Sequence, residues 1–197
     1  NRFLELVQDV LKYLPEQGLL RVVDYGCGKS YLTFALHSLL TERAGREVEI
    51  TGLDRNPDVI AECRRVTDKL GLKGLSFEVG DIASHQPPGT VHMAVSLHAC
   101  DTATDDALAG ALRWECPVIL SVPCCQHELA PQLDSHPLAP LLQHGILRER
   151  FGSLATDALR AAALDIYGYR TTVLEFIDLE HTPKNLLIRA IRRTDSP

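Results

Sequence analysis

The stretch Leu19-Leu20-Arg21-Val22-Val23-Asp24-Tyr25-Gly26-Cys27-Gly28-Lys29-Ser30 leads into an apolar helical segment that reaches Leu40. Leu19 to Tyr25 is an apolar run of strand length, and the two glycines end it abruptly. Lacking a Cβ, Gly26 and Gly28 let the chain turn tightly and let a ligand approach the backbone. The helix that opens at Ser30 offers its unpaired N–H groups to that ligand. Strand, glycine turn and helix together form a cradle.

Upstream of it, Phe3, Leu4, Leu6, Val7, Val10, Leu11 and Leu14 repeat at helical spacing and stop at Pro15 and Gly18. Downstream, a helix from Ser30 to Thr41 precedes a second strand, Val48 to Leu53. Asn56-Pro57 supplies a cap and a first-position proline for a helix ending at Leu70, before Gly71. Leu75 to Val79 is a third strand, and Ser84 to Thr90 a proline-rich loop. A buried fourth strand (Val91 to Leu97), a helix (Thr104 to Trp114) and a fifth strand (Pro117 to Val122) follow. Leu129 to Gly145 is broken by prolines into short helices and loop, and Ser153 to Tyr167 is a helix closed by Gly168. Tyr169 to Ile177 and Asn185 to Ile191 are the last strands, close enough in sequence to pair antiparallel. The expected fold is therefore α/β and Rossmann-like: seven strands, mostly parallel, with a terminal antiparallel hairpin. No domain boundary, repeat or low-complexity tract interrupts it, so residues 1–197 read as one domain. A chain that opens on Asn1 and enters a helix at once is expected to be the C-terminal part of a longer protein.

In an open α/β sheet the ligand lies beyond the carboxyl ends of the strands, where strand order reverses. Those ends carry Asp24 to Gly28, Asp54-Arg55, Asp81-Ile82 and Leu97-His98. An acid ahead of the glycines and a second acid closing the next strand point to S-adenosylmethionine (SAM). Gly26 and Gly28 would turn beneath its methionine part, Asp54 would accept from both ribose hydroxyls, and Asp81 and Ile82 would meet the adenine. Asp24, Tyr25, Cys27, Ser30, Arg55, Leu97 and His98 complete the expected cofactor set. A P-loop is excluded, because its first glycine position holds Val23. A dinucleotide fingerprint needs a third glycine where Tyr31 stands, and it leaves Asp24 unexplained. It stays as a rival that would make the chain an NAD-binding oxidoreductase.

Two strings carry the remaining chemistry: Ser96-Leu97-His98-Ala99-Cys100-Asp101 and Ser121-Val122-Pro123-Cys124-Cys125-Gln126-His127. Methyl transfer is an in-line displacement, so a catalyst positions the acceptor and handles one proton. His98, Asp101 and His127 are the ionisable groups at this edge, with His98 preferred because imidazole titrates near neutral pH. Cys124 and Cys125 leave several readings open: small buried hydrophobes, a thiolate that adds to a pyrimidine ring, zinc ligands together with Cys100 and a histidine, or acceptor-positioning groups. The spacing lacks C-x-x-C, so no metal is expected. Asp157 and Arg160, together with the turn Glu180 to Asn185, read as a substrate rim or as plain surface.

With 45% hydrophobic and 23% charged residues, the composition is that of an ordinary globular domain, and no apolar run is long enough for a membrane helix. A net charge of −6 disfavours a domain that wraps nucleic acid unaided. Lys184, Arg189, Arg192 and Arg193 form a basic group near the end, read first as a solvated strand face. Six cysteines, two of them adjacent, do not form a disulfide framework, so a reducing, cytoplasmic setting is expected.

The strings DYGCGKSYLTFALH (24–37), LHACDTATDDAL (97–108), VPCCQHEL (122–129) and EHTPKNLLIRA (180–190), taken in order, resemble a group of class I SAM-dependent methyltransferase domains. The group includes bacterial proteins of unassigned substrate and the methyltransferase part of the glutathione-S-transferase C-terminal-domain-containing protein. More distantly it includes tRNA ribose 2′-O-methyltransferases. The similarity implies a class I fold, SAM bound around Asp24 to Ser30, Asp54, Asp81 and His98, and a methyltransferase activity. Many relatives carry Gly where this chain has Asp101, and the zinc fingers of the tRNA enzymes are missing here. RNA is the slightly favoured acceptor, through that distant kinship; a catalytically silent SAM-binding module is the alternative.

Overall fold

The computed structural model describes residues 2–97, 99–124, 126–175 and 186–194. Its strands are β1 (Leu20–Tyr25), β2 (Val48–Asp54), β3 (Leu75–Val79), β4 (Met93–Ser96), β5 (Val118–Ser121), β6 (Tyr169–Glu175) and β7 (Leu186–Arg192). The helices are α1 (Arg2–Val10), α2 (Tyr31–Ser38), α3 (Pro57–Leu70), α4 (Thr102–Arg113), α5 (Leu129–Gln132), α6 (Ala139–Leu142) and α7 (Gly145–Ile166). All seven strands join one sheet in the order β3-β2-β1-β4-β5-β7-β6. β1 to β5 pair in parallel, whereas β7 runs antiparallel to both β5 and β6. The expected architecture is present, and strand order reverses between β1 and β4, which fixes where a ligand crevice lies.

Alternation along each strand divides the apolar residues between two faces. Leu20 and Val22 of β1 pack with Ile50, Val95 and Leu120 against α1, α2 and α3. Val23 and Tyr25 pack with Ala94 and Ile119 against Ala107, Leu108 and Ala111 of α4 and Leu164 of α7. Asp24 therefore shares the α2 face with Val22, and Tyr25 faces α4. That parity governs the site.

The strands begin and end within a few residues of their expected bounds. One element differs more: the last helix was expected from Ser153 and begins at Gly145. Gly152 lies inside it because α5 packs there, and a Cβ would come within 2.9 Å of the Ala130 Cβ. The glycine serves close packing and does not stop the helix. Residues 176–185, with the Glu180 to Asn185 turn, lie outside the described residues. Among the described residues no helix is long and apolar enough to cross a membrane.

α3 starts as its sequence dictates. Asn56 sits at φ −87°, its Oδ1 accepts from the N–H groups of Asp58 (3.0 Å) and Val59 (3.4 Å), and Pro57 fills the first helical position. Asn56→Ala should cost about 1 kcal/mol. Thermal denaturation should then show a melting point lower by about 2–4 °C; an unchanged value would mean the cap is dispensable.

Candidate functional site

The glycine turn is tied to the end of β2. The Leu53 carbonyl accepts from the N–H groups of Gly26 (2.9 Å) and Cys27 (3.0 Å), and Asp54 Oδ2 accepts from the Gly28 N–H (3.0 Å). Gly26 and Gly28 have φ of 66° and 51°, values that glycine adopts without strain. Ser30 follows at φ 58°, and its hydroxyl donates back to the Gly28 carbonyl (3.2 Å). Cys63 of α3 reaches the same hydroxyl at 3.3 Å. Gly52 lets the turn lie close to the sheet, because a Cβ there would stand 2.5 Å from the Phe77 ring and 3.1 Å from Cys27 Sγ.

Above the turn is a cavity of about 450 Å³ lined by Asp24, Cys27, Gly28, Lys29, Ser30, the first turn of α2 (Tyr31, Leu32, Thr33) and Leu97. Asp24 is its buried charge, only 2% exposed. Oδ2 accepts a hydrogen bond from Thr33 Oγ1 (2.5 Å), and Oδ1 has no partner. Burial pushes its carboxyl from 3.8 up to about 7; the neighbouring Asp54 charge adds to this and the Thr33 bond opposes it. Thr33 was not foreseen, although its position one helical turn into α2 places it over the strand end.

The remaining cofactor candidates divide. Asp54 stands at the crevice, but both its oxygens already accept backbone N–H groups, from Gly28 and from Asn56 (2.9 Å). Asp81 caps the turn Ile82–Ser84 through the Ala83 N–H (2.9 Å) and pairs with Arg55 (2.5 Å). Ile82 is buried in the α4-side core. The Tyr25 ring points into that core, stacked on Trp114 at 5.9 Å. Only its backbone borders the turn. His98 lies outside the described residues.

Adjacent to the cavity, the loops after β4 and β5 leave the sheet together, since Ser96 pairs in register with Ser121. Both hydroxyls are buried and unpartnered. Asp101 adopts φ 54°, ψ −125°, a conformation natural to glycine. Its carboxylate does not cap α4. It reaches across to accept from the His127 N–H (3.2 Å), tying one chemistry-bearing loop to the other. Cys100 Sγ and Cys124 Sγ are 3.0 Å apart. The His127 side chain is exposed, and Cys125 lies outside the described residues. Among the described residues no group of three or more His, Cys, Asp or Glu side chains could hold a metal.

α7 supports this edge from behind. Arg160 donates to both oxygens of Asp105 (2.7 and 2.8 Å), to Asp157 (3.2 Å) and to the Asp101 carbonyl (2.9 Å). Gln126 Nε2 donates to both Asp157 oxygens, and Gln126 Oε1 accepts from Ser153 (2.7 Å). Asp157 and Arg160 are 4% and 5% exposed, so they form a buried clamp under the two loops, and Arg160 also borders a surface depression. Burial raises the Asp157 carboxyl, with Gln126 and Arg160 opposing.

A family model described as "Methyltransferase domain" matches residues 1–132. The chain belongs to the methyltransferase-domain family. Its fold and family make it a class I SAM-dependent methyltransferase domain. A curated relative, trans-aconitate 2-methyltransferase of Methylobacterium nodulans, is 39% identical over 79 residues, 40% of this chain and 27% of its own. The chain thus spans about a quarter of that relative's length. Among solved structures, the citrinin polyketide synthase CMeT domain aligns with TM-score 0.62 at 21% identity, covering 96% of this chain and 51% of its own. Magnesium protoporphyrin IX methyltransferase from Synechocystis PCC 6803, solved with bound SAM, aligns with TM-score 0.56 at 16% identity, covering 98% and 80%.

SAM is the cofactor of this domain. The residues present fit it: the cradle is closed to any Cβ at Gly52, and a buried, unpartnered carboxylate oxygen of Asp24 faces a cavity within the usual range for small ligands.

Two measurements test this description. The folded chain holds the Asp24 proton more tightly than the unfolded chain, so its burial is harmless below about pH 4 and increasingly costly as pH rises to about 7. Denaturant titrations of wild type and Asp24→Asn should therefore diverge over that window, the variant gaining on the order of 4 kcal/mol relative to wild type. A constant difference would mean Asp24 is ionised throughout. Arg160→Met leaves the Asp157 carboxyl buried without its cation and should cost about 3–5 kcal/mol. That predicts a melting point lower by on the order of 10 °C; a loss under a degree would show the clamp to be incidental.

Proposed function

We propose that residues 1–197 form one catalytic domain that transfers methyl groups from SAM to an acceptor seated where the loops after β4 and β5 emerge. The observation that carries this reading is Asp24: a carboxylate 2% exposed, with one oxygen unpartnered, beside a glycine turn at the point of strand-order reversal. Burying such a group without a partner is unfavourable, and a cationic ligand group removes the penalty. We assign it to the ammonium of the methionine part of SAM, with backbone from Tyr25 to Gly28 and the first turn of α2 around the carboxylate. Asp54, Arg55 and Asp81 take the nucleoside side, and Leu97 forms the wall between cofactor and acceptor. When bound, SAM supplies an electrophilic methyl group. The residues of this chain orient the acceptor and remove its proton.

For the proton we assign Asp101 and His127, joined across the two loops by the 3.2 Å bond. His98 keeps its sequence-based role as a base or acceptor-orienting group, and Cys124 and Cys125 keep acceptor-contacting roles, on their sequence positions. A depression of about 330 Å³ reaches Asp101 and is lined by Asp105, Glu128, Gln132, Thr156 and Arg160, whose cation is neutralised by Asp105 and Asp157. Leu129, Leu159 and Ala163 complete a mainly apolar lining, with Glu128 and Asp101 as its carboxylates outside the Arg160 pairs, which suits a small, largely apolar acceptor better than a polyanion. The basic group near the end, read first as a solvated strand face, is partly neutralised: Arg192 pairs with Glu115 at 2.8 Å and Arg193 lies 4.0 Å from Asp165. Lys184 lies outside the described residues. RNA keeps the support of the sequence resemblance alone.

SAM at about a hundredfold over its dissociation constant should add about 2.7 kcal/mol of stability. Asp54→Ala should weaken binding at least tenfold by calorimetry. Asp54→Asn, which keeps an acceptor for the Gly28 N–H, should recover part of it. Labelled SAM incubated with cell extract, then separated into RNA, protein and metabolites, should label the metabolite fraction; label in RNA restores the polyanion reading. Binding without any transfer makes the domain a silent SAM module.

A further inference from the structure

Two thiols meet at the mouth of the site. The parallel register of β4 and β5 aligns Ser96 with Ser121, and the chain then carries Cys100 and Cys124 off the same edge. Their sulfurs are 3.0 Å apart. A disulfide needs about 2.05 Å, so about 1 Å of closure joins them. Cys100 is exposed and Cys124 half-buried. Cys27, Cys63 and Cys116, by contrast, are 3% exposed or less, and burial pushes the thiols of Cys27 and Cys116 up to about 12. An oxidant arriving from solvent meets Cys100 first among these.

We infer that Cys100 and Cys124 form a reversible disulfide that shuts off methyl transfer when the protein meets a hydroperoxide. The Cys100 thiolate attacks the peroxide, the O–O bond breaks, and a sulfenic acid forms with release of water or an alcohol. The Cys124 thiol then attacks the sulfenic sulfur, the S–O bond breaks, and water leaves as the S–S bond forms. Two thiols are oxidised by two electrons and one peroxide is reduced. The effect on activity follows from what adjoins each sulfur. Asp101, next to Cys100, is held in a left-handed turn and accepts the His127 N–H; His127 lies three residues after Cys124. Drawing the sulfurs together displaces that turn and the bond it makes. This consequence rests on the proposed acceptor mouth; the disulfide itself does not.

The full chain, first reduced, is exposed to a small excess of hydrogen peroxide, alkylated, digested without reductant and analysed by mass spectrometry. A Cys100–Cys124 linked peptide that disappears with dithiothreitol is expected. Transfer of label from SAM should fall at least tenfold on oxidation and return with dithiothreitol. Cys100→Ser should retain basal activity and lose the peroxide response. A link through Cys125, a zinc ion released on oxidation, or sulfinic and sulfonic acid at Cys100 with no link would each overturn the pair. A Cys100–Cys124 link that leaves transfer unchanged overturns the switch. Calorimetry with SAM on the reduced protein, run in parallel, reports separately on the cofactor reading.

Discussion

The Leu53 carbonyl accepts from two consecutive N–H groups of the glycine turn, and the next residue, Asp54, accepts from a third. These bonds make the end of β2 the anchor for the turn after β1. The glycines bend because only they reach those acceptors at positive φ, and α2 then starts with its first turn over the strand ends. Thr33 reaches Asp24 only from a helix so placed. The cavity wall, the hydrogen bond that half-satisfies Asp24 and the close fit of Cys27 over Gly52 all depend on this anchoring. Asp54 thus has a structural duty before any ligand arrives, and nucleoside recognition would be added to it.

On the other side of the switch point the same problem has a different solution. The loops after β4 and β5 are not clamped by strand carbonyls. They are held by side chains of α7, 59 residues beyond Asp101 of the first loop and 31 beyond Gln126 of the second. Arg160 takes the Asp101 carbonyl, and Asp157 takes Gln126, so one buried ion pair fixes both loops. Ion pairs in such places are weak contributors to stability, because desolvation offsets most of their attraction. Their value here is geometric: the five donors of a guanidinium fork define a direction that an apolar cluster of the same volume would not.

How far the sequence disclosed this follows from which interactions are local. Strand ends and caps are set by neighbours within a few residues, and glycines mark a turn by their composition, so Asn56 and Gly26 could be read directly. The anchoring of that turn on Leu53 and Asp54 is tertiary. The face taken by Tyr25 was also readable, since Val23 and Tyr25 share parity, but its place beside the glycines suggested ligand contact. α7 inverted the usual hydrophobic pattern: Leu154, Leu159 and Ile166 are 59%, 63% and 83% exposed while Asp157 and Arg160 are buried. No periodicity rule finds that. One signal was present, the i, i+3 spacing of Asp157 and Arg160 on the stripe that continues to Leu164. The meeting of Cys100 with Cys124 required the β4–β5 register, which is a tertiary fact.

Several unfavourable features of this chain lie at one edge. Asp24 buries a carboxylate with an unpartnered oxygen, Asp101 occupies a glycine conformation, Ser96 and Ser121 bury unsatisfied hydroxyls, and Asp157 and Arg160 bury charge. Each costs on the order of 1–3 kcal/mol in a protein whose whole stability is of order 5–15 kcal/mol. Elsewhere, Arg46 and Thr171 bury unpartnered polar atoms and Glu115 adopts a positive φ, but none of these is a buried carboxylate beside a cavity. Two apolar cores, one on each face, offset these costs. A fold selected only for stability would replace Asp101 with glycine and Asp24 with an apolar residue. That this sequence keeps both, on either side of the strand-order reversal, is the physical reason for placing cofactor and acceptor there.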